Sequence, residues 1–145
     1  MKRCVHIVVA IGFAVVLSSC GDDSPVQPSP DPDPTPTLQP TFSSINQQVF
    51  LGICDNCHNA NGAAFAGGLR LDAGQAYNQL VNVPSSVKPG AVRVIPGNAS
   101  DSYLIHKLEG RSDISGSRMP LNAAPLPQAD IDVIRTWIAQ GAQNN

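Results

Sequence analysis

The chain has 145 residues, about one ordinary domain's worth, and a formal net charge of −2. So near a balance of charge gives no electrostatic basis for a nucleic-acid partner or for an anionic membrane surface. Apolar residues make up 42% and charged ones 14%, and the four cysteines fall unevenly, with Cys4 and Cys20 near the start and Cys54 and Cys57 three apart in the middle.

The first residues read as an address. Lys2 and Arg3 form a basic start, Val5 to Leu17 is almost wholly apolar, and Leu17-Ser18-Ser19-Cys20 follows with small residues ahead of the cysteine. A charged region, a short apolar region and a small-residue cleavage site describe an export signal. A transmembrane helix is the alternative, but it needs roughly 20 apolar residues and this run offers about 13. Leu-Ser-Ser-Cys also resembles the lipobox of bacterial lipoproteins. That resemblance implies a signal over residues 1–19, cleavage before Cys20, lipid on Cys20 and a protein tethered to a bacterial membrane, periplasmic or on the outer face. An ordinary secreted protein with a stray cysteine is the plainer reading. Gly21 after Cys20 leaves the choice of membrane open.

Residues 20–41 hold seven of the 13 prolines, Pro25 to Pro40. Proline fixes φ and lacks the N–H donor, so this stretch is expected to be an extended tether, with a Pro-rich ligand for another domain as the alternative. Residues 42–145 then form one small domain of about four helices. The first starts near Ser43 or Ser44 and sets Ile45, Val49, Phe50 and Ile53 on one face. A short one covers Ala73–Val81. Asn98 to Asp101 opens the next, with Tyr103, Leu104 and Leu108 as its stripe and Gly110 as its stop. The last begins near Pro127, buries Ile131, Ile134, Trp137 and Ile138, and ends at Gly141. Val92–Pro96 reads as extended, but too little strand is visible for a sheet, so the class is all-α.

Cys54-Asp55-Asn56-Cys57-His58 carries the chemistry. C-x-x-C-H is the attachment signature for haem c. Thiols three apart on a helical turn face the same way and can add to the two vinyl groups of one porphyrin, and the next residue brings an imidazole to the iron. Three other uses compete. A redox-active dithiol wants a βαβ context that is not visible. A zinc site wants four ligands, and only His106 could join these three. A disulfide across two residues is strained and confers little. Met119, in Gly116-Ser117-Arg118-Met119-Pro120, is the domain's one methionine, and its soft thioether suits haem iron opposite histidine; core filling is its other use. His106 is the rival sixth ligand, though it lies off the stripe of its helix and reads more simply as a surface residue.

The helix, the C-x-x-C-H motif, a Met-Pro loop about sixty residues on and a closing amphipathic helix together resemble class I cytochrome c over residues 42–145. The resemblance implies one covalent haem c on Cys54 and Cys57, His58 and Met119 as axial ligands, one-electron transfer to redox partner proteins, and no enzymatic turnover. It also implies helices wrapped around the haem, for which Phe50, Leu69, Leu71, Ile95, Leu104, Leu126 and Trp137 are candidate lining residues, and Arg70 or Arg93 candidate partners of a haem propionate. Gly67–Pro96 departs from the family in its loops, and no lysine-rich docking face is present. A haem-based sensor with an open or displaceable sixth site is the alternative function. A peroxidase is disfavoured because no distal histidine–arginine pair is visible.

Overall fold

The computed structural model describes residues 37–145. The signal-like segment, Cys20 and most of the Pro-rich stretch lie outside them. Among the described residues there are four α-helices, Phe42–Ile45 (α1), Ala76–Leu80 (α2), Tyr103–Glu109 (α3) and Gln128–Ala139 (α4), and a π-helical stretch, Asn46–Cys54, that continues α1. No strand is formed among these residues. The extended segment from Val92 makes only isolated bridges, Val94 with Val81, Val92 with Pro84 and Ser102, and Ile95 with Asn98. The helical class expected from the sequence therefore holds, and no helix among these residues is long and apolar enough to cross a membrane.

The opening helix differs from the expectation in two ways. Its cap is Thr41, whose backbone is extended and whose hydroxyl accepts from the Ser44 N–H at 3.4 Å. Ser44 Oγ serves the preceding chain instead, accepting from the Gln39 N–H at 3.0 Å. More consequentially, the helix widens after Ile45, so that hydrogen bonds reach back five residues; the Asp55 N–H closes the run on Phe50 O at 2.8 Å. Each turn then takes roughly one residue more than an α-turn. Ile45, Val49 and Phe50 stay in the core, but Ile53, expected on the same face, is 40% exposed, and Cys54 turns inward and packs against the core in its place.

α2 is shorter than Ala73–Val81 because Gly74 sits at φ +76, a left-handed conformation that no helix contains. α3 starts at Tyr103 rather than near Asn98. Asn98 to Asp101 forms a turn of its own, with the Asp101 N–H on Asn98 Oδ1 at 3.2 Å, and the fully buried Ser102 follows, its hydroxyl donating to Asn98 O and accepting from the Ile95 N–H. Tyr103, Ile105 and Leu108 are the buried side chains of α3, whereas Leu104, expected in the stripe, is half-buried. Gly110 ends the helix at φ +68, as expected.

α4 matches its periodicity. Ile131, Ile134, Trp137 and Ile138 are all at most 1% exposed, and each such burial contributes about 1.5–3 kcal/mol. The Phe42 ring lies 5.8 Å from Trp137, 5.1 Å edge-on to Tyr77 and 6.3 Å from Phe50, joining α1, α2 and α4. α3 lies against α4, where Arg135 and Arg111 both grip Glu109. Leu38, ahead of the expected start at Phe42, also belongs to the core. At the other end, the Asn145 side chain accepts from the Phe42 N–H at 2.9 Å and its carbonyl from the Ser43 N–H at 2.8 Å, so two free donors of the α1 terminus are satisfied by the last residue.

Candidate functional site

The widened helix delivers Cys54 to the core edge, and one further turn follows. Cys57 N–H and His58 N–H both bond to Cys54 O, at 3.2 and 2.9 Å, which sets Cys54, Cys57 and His58 on a single turn. Both thiols are free; Cys54 is half-buried and Cys57 exposed. Burial, with smaller contributions from the charge of Asp55 and from Cys57, pushes the Cys54 thiol up to about 12. A disulfide-exchange motif works through an accessible thiol made more acidic than usual, and Cys54 is not such a thiol.

His58 is half-buried beneath the segment that ends the next loop. Its Nδ1 lies 3.3 Å from the Leu69 carbonyl, and its own carbonyl accepts from the Leu71 N–H at 2.6 Å. A carbonyl can only accept, so Nδ1 carries the proton and the Nε2 lone pair is left for a metal. Burial lowers the pKa of His58; the Leu69 bond works against this, and the charges of Arg93 and Lys107 add to it. The ring is thereby favoured in the neutral form that binds iron.

Two residues that the sequence reading passed over shape this turn. Asn59 Oδ1 accepts from the N–H groups of Asn61 and Gly62, both at 3.0 Å, while its Nδ2 donates to Asp55 O at 2.7 Å. It clips the loop back onto the motif. Gly62 packs against Cys57: a Cβ there would lie 2.9 Å from the Cys57 carbonyl carbon and closer still to its oxygen. The signal for both was present in the Asn-x-Asn-Gly stretch after His58, a strong turn composition.

Met119 is half-buried and packs against the core. Its N–H bonds to Lys107 O at 2.8 Å, and the adjacent Arg118 Nε donates to Leu108 O at 2.7 Å, so the loop is fastened to the end of α3. His106 is committed elsewhere. Its side chain is 14% exposed, with Nδ1 3.0 Å from Asp113 Oδ2 and Nε2 2.8 Å from Ser100 O and 3.0 Å from Arg111. Both ring nitrogens thus have partners, and the side chain is more covered than a surface reading implies. Among the described residues no group of three or more His, Cys, Asp and Glu side chains is gathered as a metal-holding cluster.

Of the expected lining residues, Phe50, Leu71, Leu126 and Trp137 are buried in the core, and Leu69 and Leu104 pack against it half-buried. Arg70 is taken by Asp72 through a bidentate pair at 3.0 and 2.5 Å. Arg93 donates to the carbonyls of Gln79 and Gly67 and, like Lys107, has no carboxylate partner among the described residues. No protein-family model, no curated protein and no solved structure matches this chain.

Proposed function

We propose that this chain is a c-type cytochrome: an electron carrier with one haem attached through Cys54 and Cys57, His58 and Met119 as iron ligands, exported and held at a bacterial membrane by lipid on Cys20. The observation that carries the reading is the turn 54–58. Two free thiols and an imidazole share that turn, and the Leu69 carbonyl leaves Nε2 of the ring as the coordinating atom. The donor set suits the group: thiols for the vinyl carbons, a neutral imidazole for iron, and a half-buried thioether on a fastened loop as a soft sixth donor.

A haem held there supplies one-electron exchange between ferric and ferrous iron. The protein's part is to keep the donors still and the surroundings dry. Leu69 O orients the His58 ring, Lys107 O fixes the backbone of Met119, and the apolar side chains of Phe50, Leu71 and Leu104 limit water. Fixed donors and excluded water keep reorganisation small when the charge on iron changes, and an apolar shell favours the form of lower charge.

The test is a visible spectrum of the full chain produced with haem-maturation machinery, oxidised and reduced, beside Met119→Ala. A sharp reduced α-band, haem that resists acid–acetone extraction, and a near-infrared sulfur–iron band lost in Met119→Ala are the expected results. Haem absent from the purified protein would refute the central claim. Haem present but indifferent to Met119→Ala would move the function towards a sensor with an open sixth site.

A further inference from the structure

We propose that Lys107 is a positioning residue for Met119, a latch whose ammonium holds the loop that presents the sulfur to iron. The inference rests on the haem reading above and adds to it the device that fixes the sixth ligand.

Between the end of α3 and Met119 the chain has no regular structure, so its polar backbone groups need partners from elsewhere. Lys107 supplies three. Its Nζ donates to Ser115 O at 2.9 Å and to Ser117 O at 2.6 Å, and its own carbonyl accepts from the Met119 N–H at 2.8 Å. One residue thus grips the loop before the methionine and at the methionine itself. Gly116 makes this possible: at φ +72 it lies in the left-handed region, allowing the carbonyls on either side of it to converge on one ammonium. No carboxylate pairs with Lys107 among the described residues, so its charge is directed at these two carbonyls. The loop's other attachments lie apart from the methionine's own backbone bond: Lys88 Nζ donates to Asp113 O at 2.7 Å and to its carboxylate at 2.6 Å, and His106 Nδ1 lies 3.0 Å from the same carboxylate. Tyr103 Oη accepts from the Ser115 N–H at 2.9 Å, and Arg118 reaches Leu108 O.

The experiment uses the full haem-loaded chain as wild type, Lys107→Leu and Lys107→Arg. Wild type should show the near-infrared sulfur–iron band when oxidised. Lys107→Leu should keep its covalent haem and its circular dichroism, lose at least half of that band, and bind carbon monoxide at least tenfold more tightly when reduced. Lys107→Arg, which keeps a cation with several donors, should recover most of the band. Gly116→Ala, strained at a position remote from the core, should weaken the band in the same direction even if Lys107→Leu fails to fold. An unchanged band and carbon monoxide affinity in Lys107→Leu, or in Gly116→Ala where the former does not fold, overturns the latch. Absence of the band from wild type overturns the Met119 assignment, and the latch with it.

Discussion

Gly62→Ala tests whether the loop after His58 must lie directly on the Cys57 backbone. Gly62 is not in the left-handed region, so alanine meets no φ penalty there. What it meets is the Cys57 carbonyl group, with the carbon at 2.9 Å and the oxygen nearer, inside the 3.0 Å that real Cβ atoms keep. The obstacle is backbone on a turn clipped by Asn59, so it cannot swing aside as a side-chain tip would. Overpacking of this kind costs about 3 kcal/mol, equivalent to roughly 10–20 °C in melting temperature for a domain of this size. Two controls bracket the effect. At Gly68 (φ +71) nothing lies within 4 Å of an added Cβ, so alanine should cost only the left-handed strain of about 1–2 kcal/mol. At Gly52 the nearest atom is at 3.4 Å and the backbone is helical; alanine should be neutral or stabilise by up to about 1 kcal/mol. Thermal and urea unfolding followed by circular dichroism rank the three. A Gly62→Ala variant no less stable than Gly68→Ala would refute the claim of close contact, and the loss should appear together with a lower yield of covalent haem.

Ile134→Ala removes a fully buried side chain from α4 and should cost about 3 kcal/mol in denaturant unfolding; a loss under ~1 kcal/mol would mean that the site collapses freely. Burial alone would raise the Glu109 carboxyl pKa, but hydrogen bonds from Arg135 and Arg111 outweigh it and hold the group below its ordinary value. Its contribution, about 1 kcal/mol for partly exposed pairs, is therefore present at pH values above the unfolded carboxyl pKa and lost as pH falls through the lower folded value. Urea titrations should separate wild type from Glu109→Gln at neutral pH and bring them together in acid; an equal gap at both would contradict this. Arg93 carries a charge that helps lower the His58 pKa; with the proposed haem bound, that charge would disfavour ferric iron, so Arg93→Gln should lower the reduction potential by about 1 kcal/mol, or ~40 mV for one electron. A spectroelectrochemical titration that finds no decrease would show that this charge is screened from the site.

What the sequence disclosed depended on how local the cause was. α4 was legible in full because a 3.6-residue stripe, Pro127 and Gly141 all act within one segment. The C-x-x-C-H turn was legible for the same reason. The π-helical stretch was not, since the residues from Asn46 to Cys54 fit an α-helical face equally well, and the hydrogen bonds reaching back five residues and the packing of Cys54 in place of Ile53 have no counterpart in the sequence pattern. Ile105 was missed because a seven-residue helix set deep in the domain buries more than one stripe. Leu38 was missed because prolines around it pointed to a tether, while its own burial depends on residues far along the chain. The partners of His58 and Met119, Leu69 O and Lys107, are backbone and side-chain contacts across loops, for which a sequence carries no periodic signal.

The cap that Asn145 places on α1 has a mechanical meaning. The Phe42 and Ser43 N–H groups both bond to Asn145, so a pull along the chain towards Phe42 is met first by the packing of Leu38 and the Gln39 N–H on Ser44 Oγ, and then by the bonds to Asn145 and the contacts of the Phe42 ring with Trp137 and Tyr77. Force of that kind would be spent in shear between the two ends of the domain. The turn holding Cys54, Cys57 and His58, two to three helical turns further on, would remain unstrained until that closure had given way.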